Sequence, residues 1–498
     1  MSDATAADLP IEKLSLRTKF LYGAGAVEYG ARIYVMGLLL FYYNQIVGLP
    51  GPMVSLALSI SLFVDAFWDP FIGQFSDNLR TKWGRRHPLM YASIVPFFIF
   101  FVLLWRPPEG MTDWQTFAWL LSMVLLTRFS VSLYEVTAQA LGPELAPDYH
   151  DRTVMMGIRY LMLVGGGAIA TSLGFFYYFR ATPEFPSGQL NPAAWGPLTL
   201  SVAVMMVISI LVAAIGTHHR IPTLHKPPAR KVGFKQALGD VVGTLKNWNF
   251  MVAVIAALIS GMGAGLTSGL QLYFDTFFWG LPAGQVGILA MIQLLAALLA
   301  SMTAPALSRM FGKKRACMTL FFASVAFGAA PYVLRLMELM PENGAPGLLG
   351  SLIGFRLVSI TLGVGGYIIV TSMIADITDD ALAKTGRRSE GLLMSADGLL
   401  NQVTTAMSSL LPGLILAAVH FPAKAQPGMV AEETLRQLVI IYLPITVAMS
   451  CLSIATWSFY RIDQKTHENN LRTARQAAAV AETSLEAGEP TSVARRPI

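Results

Sequence analysis

Apolar residues fall in long stretches broken by short polar turns along most of the chain. About 20 apolar residues in a helix cross the hydrocarbon layer of a bilayer. A helix satisfies its own backbone hydrogen bonds, so it survives there. The pattern predicts spans at 19–46, 52–77, 88–106, 114–142, 153–179, 196–217, 249–277, 282–308, 314–336, 347–374, 390–420 and 436–459. The expected fold class is an all-α polytopic membrane protein with twelve transmembrane helices in two six-helix halves. The polar segment 218–248, with Pro222, Pro227 and Pro228, separates an N-terminal half (19–217) from a C-terminal half (249–460). A segment at 1–18 and a charged, Ala-rich tail at 461–498 flank them, with a short surface helix expected over His467 to Ala487.

Composition agrees with that reading. Of 498 residues, 54% are hydrophobic and 13% charged, against about 25% charged in soluble domains. The net charge of +6 does not indicate nucleic acid, because the basic residues sit at span ends rather than on one soluble face. Cys317 and Cys451 are far apart and neither belongs to a CxxC pair, so neither a disulfide nor a metal site is expected. The polar first dozen residues lack the basic start and short apolar core of a cleavable signal.

Loop charge predicts orientation. Arg80, Lys82, Arg85 and Arg86 share one side with Arg152, the 218–248 segment, Arg309 to Arg315, and Arg387 with Arg388. The alternate turns at Asn44 to Pro52 and Gly280 to Gln285 carry no Lys or Arg. The basic side is expected to be cytoplasmic, with both termini there, in a cell inner membrane.

The halves repeat weakly. Asp69-Pro70 and its following basic turn match Ala304-Pro305 with Arg309 and Gly312 to Arg315. Glu144 before Asp151-Arg152 matches Asp376 before Arg387-Arg388. Two parallel six-span halves are the signature of the major facilitator architecture.

Within the second span, Asp65 and Asp69 lie one helical turn apart on one face. A carboxylate at membrane depth costs roughly 2.5 kcal/mol or more on insertion scales. A bound cation would offset that, since hard cations take oxygen ligands; bonds to arginines of neighbouring spans would do so too. The repeat-equivalent positions are Ala300 and Ala304, so helix packing alone does not require carboxylates there. Glu135, near Ser132 and Tyr134 in the fourth span, can complete an oxygen cage or pair with Arg159 or Arg128.

Glu28 and Arg32, four apart in the first span, form either an intrahelical ion pair or part of a substrate site. Tyr22, Tyr29 and Tyr34 beside them suit amphipathic ligands such as sugars, and also suit an interfacial belt. Arg159 and Arg356 are intramembrane cations able to bind substrate or to neutralise carboxylates. Asp397, Asn401 and Gln402 line up at helical spacing in the eleventh span. Asp275, beside Phe277, Phe278 and Trp279, is expected at an interface or gate. In the basic turn, Gly84 permits a tight reversal. Asp77, Arg85 and Arg86 can then clamp acidic helix ends across the cytoplasmic face as a conformational gate, or simply anchor the loop. The seven histidines fall at span ends, in loops or in the tail, as solvated residues do, and no HExxH or GxSxG motif is present.

Asp65-Ala66-Phe67-Trp68-Asp69-Pro70-Phe71-Ile72-Gly73, then Asp77, Thr81 and Trp83-Gly84-Arg85, resembles the second-span signature of the glycoside-pentoside-hexuronide:cation symporters, the melibiose permease-like family. Tyr22 to Gly25, Pro143-Glu144 and Arg387 to Gly391 are similar to the same family. The resemblance implies that Asp65, Asp69 and Glu135, with the Ser132 hydroxyl, bind Na⁺, Li⁺ or H⁺, with Asp65 and Asp69 as metal ligands where sodium couples. It implies a sugar contact for Arg159. The chain departs from the family at Gly30, where a sugar-binding aspartate is expected, and at Gln402, where a lysine is expected.

The expected function is therefore cation-coupled symport (Na⁺ or H⁺) of a sugar or glycoside by alternating access. The alternative is a carrier of an amphipathic or anionic solute such as a lysophospholipid or hexuronide. The expected site comprises Asp65, Asp69, Glu135 and Ser132 for the cation, and Glu28, Tyr29, Arg32, Arg159, Arg356, Asp397, Asn401 and Gln402 for substrate. No enzymatic activity and no cofactor beyond the coupling ion are expected. The partners are a small-molecule substrate and membrane lipid, with no nucleic acid, around a monomer.

Overall fold

The computed structural model describes residues 14–146, 148–223, 248–385 and 401–460. Among these, eleven helices are long and apolar enough to cross a membrane. In chain order they are α1 Leu16–Val47, α2 Gly51–Asn78, α3 His87–Leu104, α4 Asp113–Leu145, α5 His150–Tyr178, α6 Pro192–His218, α7 Trp248–Phe278, α8 Ala283–Phe311 and α9 Lys313–Leu336. Then come α10 Leu348–Thr385 and α12 Glu432–Trp457. Between these last two, α11 is helical over 401–408 and Leu410–Ala418, so the start of the predicted 390–420 span lies outside the described residues. The α10 helix continues to Thr385, past the predicted end at 374, because backbone hydrogen bonding outlasts the apolar stretch.

Local chemistry sets the helix starts. The Thr112 hydroxyl and Gln115 side chain form a capping box at α4. Asp148 accepts from the Asp151 N–H at the start of α5, and Asn191 from the Ala193 N–H at α6. At their far ends, α1, α5 and α7 widen into π-helical turns, Tyr42–Val47, Leu173–Tyr178 and Phe274–Phe278.

Packing follows the repeat. In the first half α1 lies on α5 and α6, α2 on α4, and α3 on α4 and α6. Six helices later α7 lies on α11 and α12, α8 on α10, and α9 on α10 and α12. The halves meet where α2 packs on α11 and α5 on α8, contacts that the same pseudo-twofold exchanges. Both crossings carry a glycine: a Cβ at Gly413 would strike the Gly51 carbonyl and Ser55, and one at Gly287 would strike Phe175. Ala300 and Ala304 are fully buried, and Ala304 lies toward Gly365 of α10, as Asp65 lies toward α4.

The halves close at the end that carries the 48–50 and 279–282 turns. Tyr273 donates to Asn44 (2.9 Å), and Gln45 both donates to the Pro422 carbonyl (3.1 Å) and accepts from the Ala425 N–H (2.9 Å). Gln189, fully buried in the α5–α6 connection, donates to Thr276 (3.1 Å). Phe41, Tyr273, Phe277 and Phe421 pack edge to face or tilted around these amides. From that end, bonds between α2 and α11 run inward through Ser55 to the Gly413 N–H and Ser59 to the Ala406 carbonyl, as far as Asp69. Beyond it, toward the basic turns, Phe71 and Phe75 on α2 and Met302, Met310 and Phe311 on α8 are exposed.

Candidate substrate and cation site

The first half holds a charged cluster at mid-span. Asp65 accepts from Arg128 Nη1 (3.0 Å) and from the Ser132 hydroxyl (3.2 Å), both on α4. On α1, Arg32 Nε donates to Glu28 Oε1 (2.7 Å), which is the intrahelical ion pair. The same guanidinium places Nη2 2.7 Å from Glu135 Oε1 on α4, an ion pair whose angles fall outside hydrogen-bond geometry. It also sits over the Tyr29 ring at 5.2 Å. Arg159 on α5 donates to the Tyr22 hydroxyl (2.7 Å) and faces that ring, and Tyr22 donates onward to the Ala138 carbonyl (2.9 Å).

Asp69 stands apart. Its Oδ2 accepts from Gln402 Nε2 (2.9 Å), a neutral amide on α11 of the other half. Its Oδ1 is buried with no hydrogen-bond partner. Glu28, Asp65, Asp69 and Glu135 supply four carboxylates to this region, and Arg32, Arg128 and Arg159 three guanidiniums. With all ionised, the region holds one negative charge in excess. Arg32 is shared by Glu28 and Glu135 and Arg159 bonds Tyr22, so Asp69 is the carboxylate that none of these guanidiniums bonds.

These contacts change several expectations. Glu135 does not join the aspartates in one cage. Arg32 draws it toward α1, and no group of three carboxylates able to hold a metal ion exists among the described residues. Its cationic partner is Arg32, in place of Arg159 or Arg128. Glu28 is fully buried behind Arg32, sealed from any ligand in this conformation. The expected aspartate position, Gly30, has no room for a side chain, because a Cβ there would run into the Leu163 carbonyl of α5.

A cavity of about 730 Å³ lies under the closed end, mostly in the second half. Its walls come from α1, α5, α7, α8, α9, α10 and α12, with Trp279, Phe41 and Tyr332 among its aromatic lining. Arg356, expected in the substrate site, lines it, while Glu28, Tyr29, Arg32 and Arg159 do not. Arg356 makes a two-point ion pair with Asp275, Nη2 to Oδ1 at 2.8 Å and Nη1 to Oδ2 at 3.3 Å. Asp275 is only 2% exposed and also accepts from Gln271 one helical turn away (3.0 Å). It is thus a buried wall of the cavity rather than the interfacial residue expected from its aromatic neighbours. Two lone opposite charges in spans seven and ten were the signal for this pair. Gln271 and Gln293, which share the lining, carry no pattern that marks them in the sequence. Asn401 and Gln402 are described, and Gln402 faces Asp69; Asp397 lies outside the described residues.

The described ion pairs of the basic turn fall in the first half. Gly84 adopts φ +74°, and Arg86 pairs with Asp77 (2.6 Å) and Glu144 (2.8 Å) while Arg85 reaches Glu144 (2.9 Å). All four belong to the first half, so the pairs described here tie α2 and α4 to the turn and do not bridge the halves. Lys313 with Asp376 (2.7 Å) is the repeat counterpart in the second half. His87 corrects the solvated reading of the histidines. It is fully buried, 3.0 Å from the Thr217 hydroxyl, with its ring against His218.

Twelve helices in two pseudo-symmetric halves, closed together at one end over a cavity, define a transporter of the major facilitator type. The profile of the MFS/sugar transport protein family matches residues 21–464, and the chain belongs to that family. It is 25% identical to an uncharacterized symporter of Synechocystis, over 84% of this chain and 88% of the relative. It is 22% identical to an isoprimeverose transporter of Lactiplantibacillus pentosus, over 86% of this chain and 84% of the relative. It is also 22% identical to a lactose permease of Leuconostoc lactis, over 90% of this chain and 68% of the relative. These relatives accord with the symporter resemblance of the second span. Among solved structures, a mutant of the nucleoside transporter NupG superposes with TM-score 0.63 at 15% identity, covering 89% of this chain and 99% of that one, a likeness of fold. The protein is a multi-pass membrane transporter and not an enzyme.

Proposed function

We propose that the protein couples the movement of one cation, Na⁺ or H⁺, to uptake of a sugar or glycoside by alternating access across an inner membrane, with both termini cytoplasmic. The observation that carries the coupling is the buried, unpartnered Oδ1 of Asp69, the one carboxylate of the cluster with no arginine bonded to it. A buried charge without a counterion is costly, and a cation at Asp69 removes that cost. Asp65 and Ser132 supply nearby oxygens, so they are secondary ligands, while Glu135 acts through Arg32. Asp69 also touches Gln402 across the two halves, so occupancy there bears on the contact that must change as the halves rock. The relatives named for lactose and isoprimeverose support a saccharide as the cargo.

The test is uptake into proteoliposomes under separate Na⁺ and H⁺ gradients, wild type against Asp69→Asn. The expected result is gradient-driven accumulation in the wild type. In the variant, accumulation is lost while exchange of sugar for sugar persists. Full gradient-driven accumulation by Asp69→Asn would sink the assignment.

A further inference from the structure

We infer that substrate is recognised in the second-half cavity by Arg356, held by Asp275, and that this pair selects a neutral polyhydroxylated ligand over an anionic one. The inference rests on the sugar-transport reading and adds to it the contact residue and the charge class of the ligand.

Arg356 reaches Asp275 with one N–H from each terminal nitrogen. A guanidinium has five N–H donors, so three remain for a ligand. The Arg356 side chain keeps 17% exposure, while that of Asp275 keeps 3%. Arg356 is therefore the group that meets the ligand, and Asp275 is a positioning residue behind it. Gln271 donates to Oδ1 of the same carboxylate, and the two charges of the pair satisfy each other.

Charge follows from that pairing. Among the described residues the cavity lining carries Asp275 and Arg356 and no other ionisable acid or base of the Asp, Glu, Lys, Arg or His type. The described lining is neutral. A hydroxyl oxygen can accept from the free donors of Arg356 without disturbing the pair. An anion gains full charge pairing only by drawing Arg356 away, which leaves Asp275 buried and unpaired, a strongly unfavourable state. A zwitterionic lysolipid headgroup needs the same separation to satisfy both of its charges. Further polar groups are spread around the walls rather than gathered at one end: Ser260 and Ser268 on α7, Gln293 on α8, Ser324 on α9 and Ser359 on α10. The Ser268, Ser324 and Ser359 hydroxyls donate to backbone carbonyls and so offer acceptor oxygens, which with the Gln293 amide suit a ring bearing hydroxyls on several sides. The aromatic Trp279 and Tyr332 beside them suit its apolar faces.

The test is equilibrium binding to the purified full-length protein by titration calorimetry, without any ion gradient, with and without Na⁺. The probes are lactose, isoprimeverose, raffinose, glucuronate and lysophosphatidylcholine. The wild type is expected to bind at least one of the three neutral saccharides more tightly than glucuronate or the lysolipid. Asp275→Asn uncovers Arg356 as a lone cation. It is expected to weaken the saccharide by about tenfold or more and to strengthen glucuronate, inverting the preference. The double variant Asp275→Asn with Arg356→Gln keeps the cavity neutral. It is expected to lose saccharide affinity without gaining glucuronate, which separates recognition from a general effect on folding. The proposal is overturned if the wild type binds none of the neutral saccharides, if it prefers glucuronate or the lysolipid, or if Asp275→Asn leaves the preference unchanged. Because no gradient is used, failure of cation coupling at Asp69 would leave these affinities standing. If the wild type binds none of the saccharides, the sugar-transport reading falls together with this inference, whereas saccharide binding with an unchanged preference in Asp275→Asn overturns this inference alone.

Discussion

Two aspartates one turn apart on α2 read alike in the sequence, yet they have opposite surroundings. Asp65 neutralises Arg128, whereas Asp69 faces an amide and has a bare oxygen. Their substitutions should therefore diverge. Asp65→Asn strands Arg128, and breaking a buried pair from one side costs about 3 kcal/mol or more. Asp69→Asn removes an unpaired charge and should leave stability unchanged or raise it. Thermal unfolding in detergent should rank Asp69→Asn at or above wild type and Asp65→Asn well below, with Arg128→Gln restoring much of the loss. An inverted ranking would show that Asp69, not Asp65, holds the structural counterion. The sequence displayed the carboxylates, because charges are conspicuous in an apolar span. It did not display their partners. Arg32 lies within reach of Glu28 by helical spacing, but its second contact, Glu135, depends on how α1 and α4 face each other in space.

At the level of helices, length and hydrophobicity made the spans legible, since the bilayer imposes one dimension on all of them. The crossings were less so, because close approach is decided by single small residues. The sequence of the run Gly165-Gly166-Gly167 on α5 does not say which glycine makes a contact. In the structure a Cβ on Gly166 would meet the Val27 backbone of α1, while one on Gly165 would meet open space. Gly30, on the facing side of α1, is pressed against Leu163 in the same way. The crossing thus explains why α1 cannot carry an aspartate at position 30. Gly166→Ala is expected to destabilise by about 1–3 kcal/mol through overpacking against backbone. Gly165→Ala should be neutral or slightly stabilising, since alanine favours helix. Melting temperatures of the two variants check this, and equal effects would contradict the crossing.

For the whole molecule, the two clusters lie in different halves and α1 spans the distance between them. It holds Arg32 and Glu28 in the charged cluster and sends Tyr34, Gly37, Leu38 and Phe41 to the cavity. The repeat hinted at such an arrangement through Ala300 and Ala304, which exclude a second cation site of the same kind in α8. On the proposed cycle, the one excess negative charge of the first-half cluster admits one cation at Asp69, and the neutral described lining of the cavity admits a ligand with none. Each turnover then carries one positive charge across the membrane. A charge moving through a potential of about 100 mV gains about 2.3 kcal/mol. Converted at RT, that energy sustains about a fiftyfold concentration ratio of the neutral solute. Proteoliposomes clamped at an interior-negative potential of that size, with equal cation concentrations on both sides, should approach this limit and stop there. Two cations per turnover would raise the ceiling to roughly the square of that ratio, and electroneutral transport would hold it at unity. A ceiling near the square would show that a second carboxylate, Glu135 or Asp65, gives up its arginine during the cycle. A ratio of unity would mean that no net charge moves with the neutral solute, and the one-cation cycle at Asp69 would fall.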